Sequence, residues 1–339
     1  ILNGDTFYET FYKVYGESDD RLHVFKLAHS MLALGEAAAS EGRRVIGLGI
    51  TPDTFIGIRL CSDGSFYLRE TDSEIMYDCE KNKLFAYREN DWAKNLFHIL
   101  GRLCGSINIS GAQVLFHKEC GADFANYAAA VCYGFSKIFC SDITAAEILS
   151  MILPGNADFA ENARQLLSLD SQNGRFSLIE NRVPVYIFPG MDDYMTVLAL
   201  TGEKAFADPI RRAEQSGMTD EIKAFEEEEN RRVTVGAALL KKGDTEGFGR
   251  IVKKSAEEYL ELAQKHSEKV KMLFKCAAAL SDICGIYENR GIFSFVHKDV
   301  VDKFVDTLGA EYEKKAGTKP EFYICAPSAS ETVRQEKES

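Results

Sequence analysis

The stretch that decides the fold reads Gly111-Ala-Gln-Val-Leu-Phe-His-Lys-Glu-Cys-Gly-Ala-Asp-Phe-Ala-Asn-Tyr-Ala-Ala-Ala-Val131. Its pattern predicts a strand over residues 112–116, a polar loop over 117–121 and a small-residue helix from 123 to about 139. A strand that leads through a glycine-bearing loop into a helix presents backbone N–H groups to an anion. The stretch therefore predicts the frame of a phosphate-binding loop.

The side chains of this loop do not suit a phosphate. Phosphate loops usually carry several Gly and Ser residues, so that the backbone can approach the ligand closely. Here Gly121 stands alone between Glu119 and Asp123. One like-charge contact across about 4 Å, at an effective dielectric of about 20, costs on the order of 4 kcal/mol. A bound Mg²⁺ would reverse that sign, since carboxylates are its preferred ligands.

Composition excludes several classes of function. The chain of 339 residues is long enough for two packed lobes, and a formal net charge of −12 without a basic patch argues against nucleic-acid binding. No apolar run approaches the roughly 20 residues that span a bilayer, and we expect no signal peptide and no membrane contact. The nine cysteines show no zinc-ligand spacing, so we predict no metal site, reduced thiols and a cytoplasmic location.

The order of predicted elements is that of an α+β protein. Strands with crossing helices come first, helices dominate residues 208–285, and a strand–helix–strand unit over 292–326 closes the fold. The acidic run 226–229 is predicted to be a solvated helix face, and the tail beyond residue 328 is predicted to fray.

Three scaffold segments resemble one family of enzymes. They are Phe11-Tyr-Lys-Val-Tyr-Gly16, the helical segment 233–254 and Pro320-Glu-Phe-Tyr-Ile-Cys-Ala-Pro-Ser-Ala329. Together they resemble the galactokinase branch of the GHMP small-molecule kinases along nearly the whole chain. The resemblance implies a two-lobed α+β fold. Residues 1–180 would form a lobe like a ribosomal-protein S5 domain 2-type fold, and residues 181–330 would form a ferredoxin-like lobe.

The first family signature, close to Pro-Gly-Arg-x-x-Leu-x-Gly-Glu-His-Thr-Asp, falls on residues 28–39. Gly35-Glu36 match it, and the resemblance implies that they are remnants of the sugar-binding segment. Ser30 stands where the family has an Arg near the reacting phosphate. Ala37 and Ala39 replace the His and the sugar-binding Asp.

The second signature, the phosphate loop Gly-x-Gly-Leu-Ser-Ser-Ser-Ala, falls on residues 119–128 and lacks its serines. The resemblance implies a vestigial nucleotide-binding site at Glu119, Cys120, Gly121 and Asp123.

Two further signatures are also changed. The segment that carries the family's presumed base, an Asp, falls on 165–169 (Gln-Leu-Leu-Ser-Leu), with Asp170 nearby but offset. The glycine-rich third loop falls on 285–291, where only the terminal glycine matches.

Two functions remain open. The family reaction is phosphorylation of galactose or a related small sugar by ATP with Mg²⁺. The first hypothesis is a non-catalytic descendant, without catalytic residues or metal ligands, that binds a small-molecule sugar, a nucleotide or a protein partner. The second is an active sugar kinase with an altered substrate, using ATP and Mg²⁺, with metal ligands drawn from Glu36, Glu119, Asp123 or Asp170.

Other residues that suggest chemistry have simpler explanations. His117 and Cys120 could form a nucleophilic pair, but the sequence offers no third group to orient them. Asp192-Asp193 follows Pro-Gly-Met and is predicted to be a turn. His29 and Ser30 are predicted to be a satisfied polar pair at the lobe boundary.

Overall fold

The computed structural model describes residues 4–35, 44–118, 126–139, 143–152, 159–172, 175–181, 183–188, 193–203, 219–262 and 268–335. Its strands are β1 (Leu22–Leu34), β2 (Arg44–Cys61), β3 (Ser65–Glu70), β4 (Met76–Glu80), β5 (Gly111–Lys118), β6 (Ser177–Glu180), β7 (Val183–Ile187), β8 (Tyr194–Leu200), β9 (Ile283–Tyr287), β10 (Gly291–His297), β11 (Glu321–Cys325) and β12 (Glu331–Gln335). Its helices are α1 (Gly4–Tyr15), α2 (Asp91–Ser106), α3 (Tyr127–Ile138), α4 (Ala145–Ile152), α5 (Phe159–Asp170), α6 (Thr219–Lys242), α7 (Thr245–Leu262), α8 (Glu268–Ala278) and α9 (Val301–Ala316).

The first lobe is built on a large sheet. Among the described residues its strands run in the order β12-β1-β2-β5-β3-β4, and β6 and β7 extend β2 on one side. The pair β3–β5 is parallel and the other pairs are antiparallel. Helix α1 packs against β2 at Gly57, where a Cβ would lie 2.8 Å from the ring of Phe7. Glycine at this position therefore lets the aromatic face of α1 approach the sheet closely.

The second lobe has a smaller antiparallel sheet in the order β11-β8-β10-β9. Along the chain its strands alternate with helices as β8, α6 to α8, β9, β10, α9 and β11. This order is that of a ferredoxin-like βαββαβ unit with additional helices. The predicted two-lobed α+β fold is confirmed, while the boundary at residue 180 stays a prediction.

One hydrophobic core is shared by both sheets. Its buried members come from β1 and β2, from β8 and β10, and from helices α6 and α7, and they include Met31, Leu34, Ile46, Leu48, Phe176, Leu198, Val233, Phe248, Phe293 and Phe295. The ring of Phe176 lies 5.5 Å from Phe248 and 5.6 Å from Phe295, in edge-to-face contacts. The lobes therefore meet through packed side chains as well as through the polar groups described below.

Helices dominate the described part of residues 208–285 as predicted, although its last residues already belong to β9, which was not predicted and which pairs with β10. Two predictions are wrong. Residues 331–335 of the tail do not fray, since they form β12, which pairs with β1. Within the acidic run, Glu229 is only 2% exposed, because it lies one helical turn beyond the buried Phe225 on the same face of α6.

Two features bear on the environment of the protein. No described helix combines the length and the apolar character needed to cross a membrane. The cysteines of the described ranges, at positions 61, 79, 104, 132, 276, 284 and 325, are free thiols.

The segment that carries the chain back to the first lobe generates a stability prediction. The hydroxyl of Ser328 donates to Oδ1 of Asp53 at 2.7 Å, and both side chains are buried. We expect Ser328→Ala to lower the free energy of unfolding by about 1–3 kcal/mol, because a buried carboxylate oxygen loses a donor. Chemical denaturation measures the change.

Ser18→Ala is the matched control. The hydroxyl of Ser18 also donates to an aspartate, Asp20, at 3.2 Å, but this pair is exposed. Its loss should change the stability by less than about 0.5 kcal/mol. Equal effects of the two substitutions would contradict the structural role given to Ser328.

Candidate functional site

The strand–loop–helix frame predicted from the sequence is present. Strand β5 ends at Lys118 and helix α3 begins at Tyr127, with Asn126 as its N-cap. Oδ1 of Asn126 accepts a hydrogen bond from the backbone N–H of Ala129 at 3.3 Å. The described helix thus starts later than the predicted residue 123, because an asparagine side chain satisfies its first turn.

The intervening loop lies outside the described residues. Glu119, Cys120, Gly121 and Asp123 therefore remain sequence-based predictions, as does Glu36. The proposed pairing of His117 with Cys120 is untested for the same reason, although Nδ1 of His117 shares a hydrogen bond with the hydroxyl of Thr71 at 2.8 Å.

Aromatic side chains fill the space beside the start of α3. The ring of Tyr127 lies 4.7 Å from Phe116 and 5.7 Å from Trp92, and all three belong to the core of the first lobe. The Tyr127 hydroxyl donates to Oε1 of Glu70 at 2.7 Å. Burial raises the pKa of Tyr127, and the hydrogen bond to Glu70 raises it further, so the hydroxyl stays protonated.

Helix α5 contacts the same helix start through an amide. Nδ2 of Asn126 donates to Oε1 of Gln165 at 2.7 Å, and Nε2 of Gln165 donates to Oε1 of Glu161 at 2.9 Å. Glu161 is also 3.3 Å from NH1 of Arg164. The first residue of the predicted base segment thus meets the start of α3, but it brings a neutral amide.

The other polar residues of this stretch, Ser168 and the offset Asp170, lie elsewhere. Ser168 is buried, and its carbonyl accepts from the hydroxyl of Ser330. Burial raises the pKa of Asp170, and the opposing charge is that of Lys137, in the last turn of α3. Asp170 therefore lies near the last turn of α3, at the end opposite to Asn126.

A polar cluster joins the two lobes. Nε2 of His29, on β1, shares a 2.8 Å hydrogen bond with the hydroxyl of Tyr287, on β9. The β-turn after Tyr287 is closed by a 3.1 Å hydrogen bond from the N–H of Arg290 to the Tyr287 carbonyl. The carboxylate of Glu288 in this turn lies 3.0 Å from NH2 of Arg290 and 4.0 Å from Nε of Arg164.

The charges of this cluster keep His29 neutral. Burial, with the nearby charges of Arg164 and Arg290, lowers the pKa of His29 to about 3. Burial also raises the pKa of Tyr287, and Glu288 adds to that effect. The predicted satisfied polar residue at the lobe boundary is thus found at His29, with its partner in the other lobe.

A second polar connection starts at Gly35. Its N–H donates to Oε1 of Glu229 at 2.9 Å. The Glu229 carboxylate also accepts from the hydroxyl of Ser255 and, at 3.1 Å, from NH1 of Arg232. A cavity of about 40 Å³ lies between these groups and Asn289. This volume holds a few waters at about 10–15 Å³ each and is far below the roughly 300 Å³ at which small-molecule pockets begin.

The structure assigns Gly35 a conformational role. Its φ is +87°, and an added Cβ would collide with the carbonyl of Arg44. The sugar-binding role that the family resemblance implies for Gly35 stays a prediction. The contact described here is a backbone one, to a carboxylate of α6.

Sequence reasoning missed most of these residues. Glu229 had a signal, since Ile222, Phe225 and Glu229 follow one another at helical spacing on the apolar face of α6. Arg164, Glu288 and Arg290 had none, because their proximity depends on how a helix of one lobe meets a turn of the other. Within the described residues, no three His, Cys, Asp or Glu side chains converge to hold a metal ion.

The role of Gly35 can be tested against a second glycine. Gly16 also has a positive φ, +79°, but nothing lies within 4 Å of its added Cβ. We expect Gly35→Ala to lower the free energy of unfolding by about 1–3 kcal/mol more than Gly16→Ala, because only the former forces a backbone collision. Equal losses in urea denaturation would contradict this role.

The protonation state of His29 can be observed directly. Histidine ring ¹⁵N shifts, assigned with His29→Gln, should show a neutral imidazole from pH 7 down to about pH 4, because its pKa is about 3. Arg290→Gln should raise that pKa, since it removes a positive charge. A His29 ring that titrates near its ordinary value of about 6.5 would contradict the arrangement.

Known proteins match this chain in structure and not in sequence. No protein-family model matches the sequence, and no curated protein is significantly similar to it. The galactokinase of Lactococcus lactis, solved with galactose, superposes with a TM-score of 0.80 at 15% identity over 97% of this chain and 99% of its own. The mevalonate kinase of Methanococcus jannaschii superposes with a TM-score of 0.67 at 12% identity, over 90% of this chain and 98% of its own.

A third neighbour is the mevalonate-3-kinase of Thermoplasma acidophilum, with a TM-score of 0.62 at 9% identity over 94% of this chain and 100% of its own. Identities this low establish the fold alone. The chain has the two-lobed α+β fold of galactokinase, mevalonate kinase and the other GHMP kinases.

Proposed function

We propose that this protein is a galactokinase-like descendant of an ATP-dependent small-sugar kinase that binds a ligand or a protein partner and no longer transfers phosphate. The observation that carries the proposal is the state of the lobe junction. At this junction and beside it, side chains at two positions that correspond to family signatures are each hydrogen-bonded to other groups of the protein. They are the amide of Gln165, held by Asn126 and Glu161, and the Tyr287–Arg290 turn.

Phosphoryl transfer needs donors around the phosphates, a metal ion and a group that orients the hydroxyl. The described residues do not fit Mg·ATP well. The side chain of Asn126 already caps the start of α3. Glu161, which is linked to Asn126 by hydrogen bonds through Gln165, is paired with Arg164. A glycine-rich loop would leave open space where Tyr287 and Glu288 now stand.

A sugar, a nucleotide and a protein partner all remain compatible with a binding role. The free cysteines of the described residues support a reducing compartment, which agrees with the proposed cytoplasmic location. Thermal-shift measurements with galactose, other small sugars, ATP and ADP separate small-molecule binding from a role with a protein partner. The latter predicts no shift with any of them.

The decisive experiment is a coupled ADP-release assay with Mg·ATP, galactose and a panel of small sugars. Kinases turn over at about 1–100 s⁻¹, and we expect less than about one thousandth of the lower figure. An active galactokinase run in parallel controls the coupling enzymes. Sugar-dependent ADP release that disappears in Asp123→Ala would instead support an active kinase with unorthodox metal ligands.

A further inference from the structure

Two arginines from different lobes meet on one carboxylate. Nε of Arg164, on α5, is 4.0 Å from Oε1 of Glu288, and NH2 of Arg290 is 3.0 Å from Oε2. The guanidinium of Arg290 therefore contacts one oxygen of Glu288, and that of Arg164 lies at ion-pair distance from the other. The two arginine side chains are 21% and 15% exposed, and Nε and NH2 of Arg290 are themselves buried, so the cluster is largely closed to solvent while Glu288 is in place.

Groups other than Glu288 position both arginines, Arg164 through its guanidinium and Arg290 through its main chain and the ring of Tyr287. The carbonyl of Arg290 accepts from the N–H and the hydroxyl of Thr201, both at 3.1 Å, and its guanidinium lies 5.4 Å from the centre of the Tyr287 ring. Arg164 is held by Glu161 at 3.3 Å. Anchored guanidinium forks lose little conformational entropy when they bind an oxyanion.

Glu288 adopts an unfavourable backbone conformation. Its φ is +45°, and that of the following Asn289 is +56°. A non-glycine residue in the left-handed region costs about 1–2 kcal/mol, and glutamate lacks the short side chain that makes asparagine tolerable there. The turn thus holds the Glu288 carboxylate between the arginines although glutamate disfavours this backbone conformation.

We propose that Arg164 and Arg290 form a site at the lobe junction for the phosphate group of a small phosphomonoester, and that Glu288 occupies this site when no ligand is bound. This proposal rests on the proposed binding function and specifies the class of ligand that is bound. A tetrahedral dianion offers an oxygen to each guanidinium and keeps a further one for solvent or for His29. A planar carboxylate has only two oxygens.

The neighbouring groups suit such a ligand. His29, whose Nε2 shares a hydrogen bond with the Tyr287 hydroxyl, is neutral here and adds no charge. The acidic groups that oppose an anion are Glu161, which stays on Arg164, and Glu288, which must turn away. Without Glu288, the two arginines and Glu161 carry one net positive charge.

Calorimetric titration of the full chain tests the site, with inorganic phosphate and a hexose phosphate as separate probes. We expect Glu288→Gln to bind phosphate about tenfold more tightly than the unmodified protein, because it removes the competing carboxylate. Arg290→Gln and Arg164→Gln should each weaken binding tenfold or more. Arg250→Gln is the control, since Arg250 is an exposed partner of Glu246 at 2.6 Å and should bind as the unmodified protein does.

A gain of affinity in Glu288→Gln cannot arise from misfolding. Phosphate binding that is unchanged in Glu288→Gln, or that persists in the Arg164→Gln/Arg290→Gln double variant, would overturn the site. If the hexose phosphate binds more tightly than inorganic phosphate, the ligand is a sugar ester. If the two bind equally, the phosphate group alone is sufficient for recognition. These outcomes are independent of the ADP-release assay, which can fail or succeed without changing the phosphate titration.

Discussion

The lobe junction depends on the hydrogen bonds that compensate the buried carboxylate of Glu229. A charge that is 2% exposed must be fully compensated, and Glu229 is bound by the Gly35 N–H, the Ser255 hydroxyl and Arg232. The first of these donors ends β1, while the others lie on α6 and α7. The end of β1 is therefore fixed to the helices of the second lobe within the segment 28–39 that resembles a sugar-binding signature.

The shared hydrophobic core has a consequence for function. Phe176, Phe248 and Phe295 pack together across the junction, and the polar groups found there have limited access to water because they are part-buried. His29 and Tyr287 satisfy each other across the junction, and Gln165 and Asn126 do so within the first lobe. A kinase keeps such groups available for substrate. Here the described ones stabilise the junction, and the arginine pair around Glu288 has the chemistry to exchange an internal carboxylate for an external phosphate.

Local patterns predicted much of the fold. The strand β5 was readable from the apolar stretch within residues 112–116, because a short buried strand depends on the character of its own side chains. The capping of α3 by Asn126 was missed, since Asp123 is an equally good cap in sequence. The pairing of β12 with β1 was missed because charged side chains such as Glu331 and Arg334 mark an edge strand as readily as a frayed tail. Glu229 was misassigned because a run of four acids resembles a solvated face. The arginine cluster lay beyond prediction, because its members are distant in sequence and meet only through tertiary packing.

A crystal structure of the protein grown with inorganic phosphate tests the central claim most directly. The account predicts a phosphate bound by Arg164 and Arg290, with the Glu288 side chain turned away and the Gly35–Glu229 hydrogen bond intact. A phosphate at the start of α3, with Glu288 still between the arginines, would contradict it.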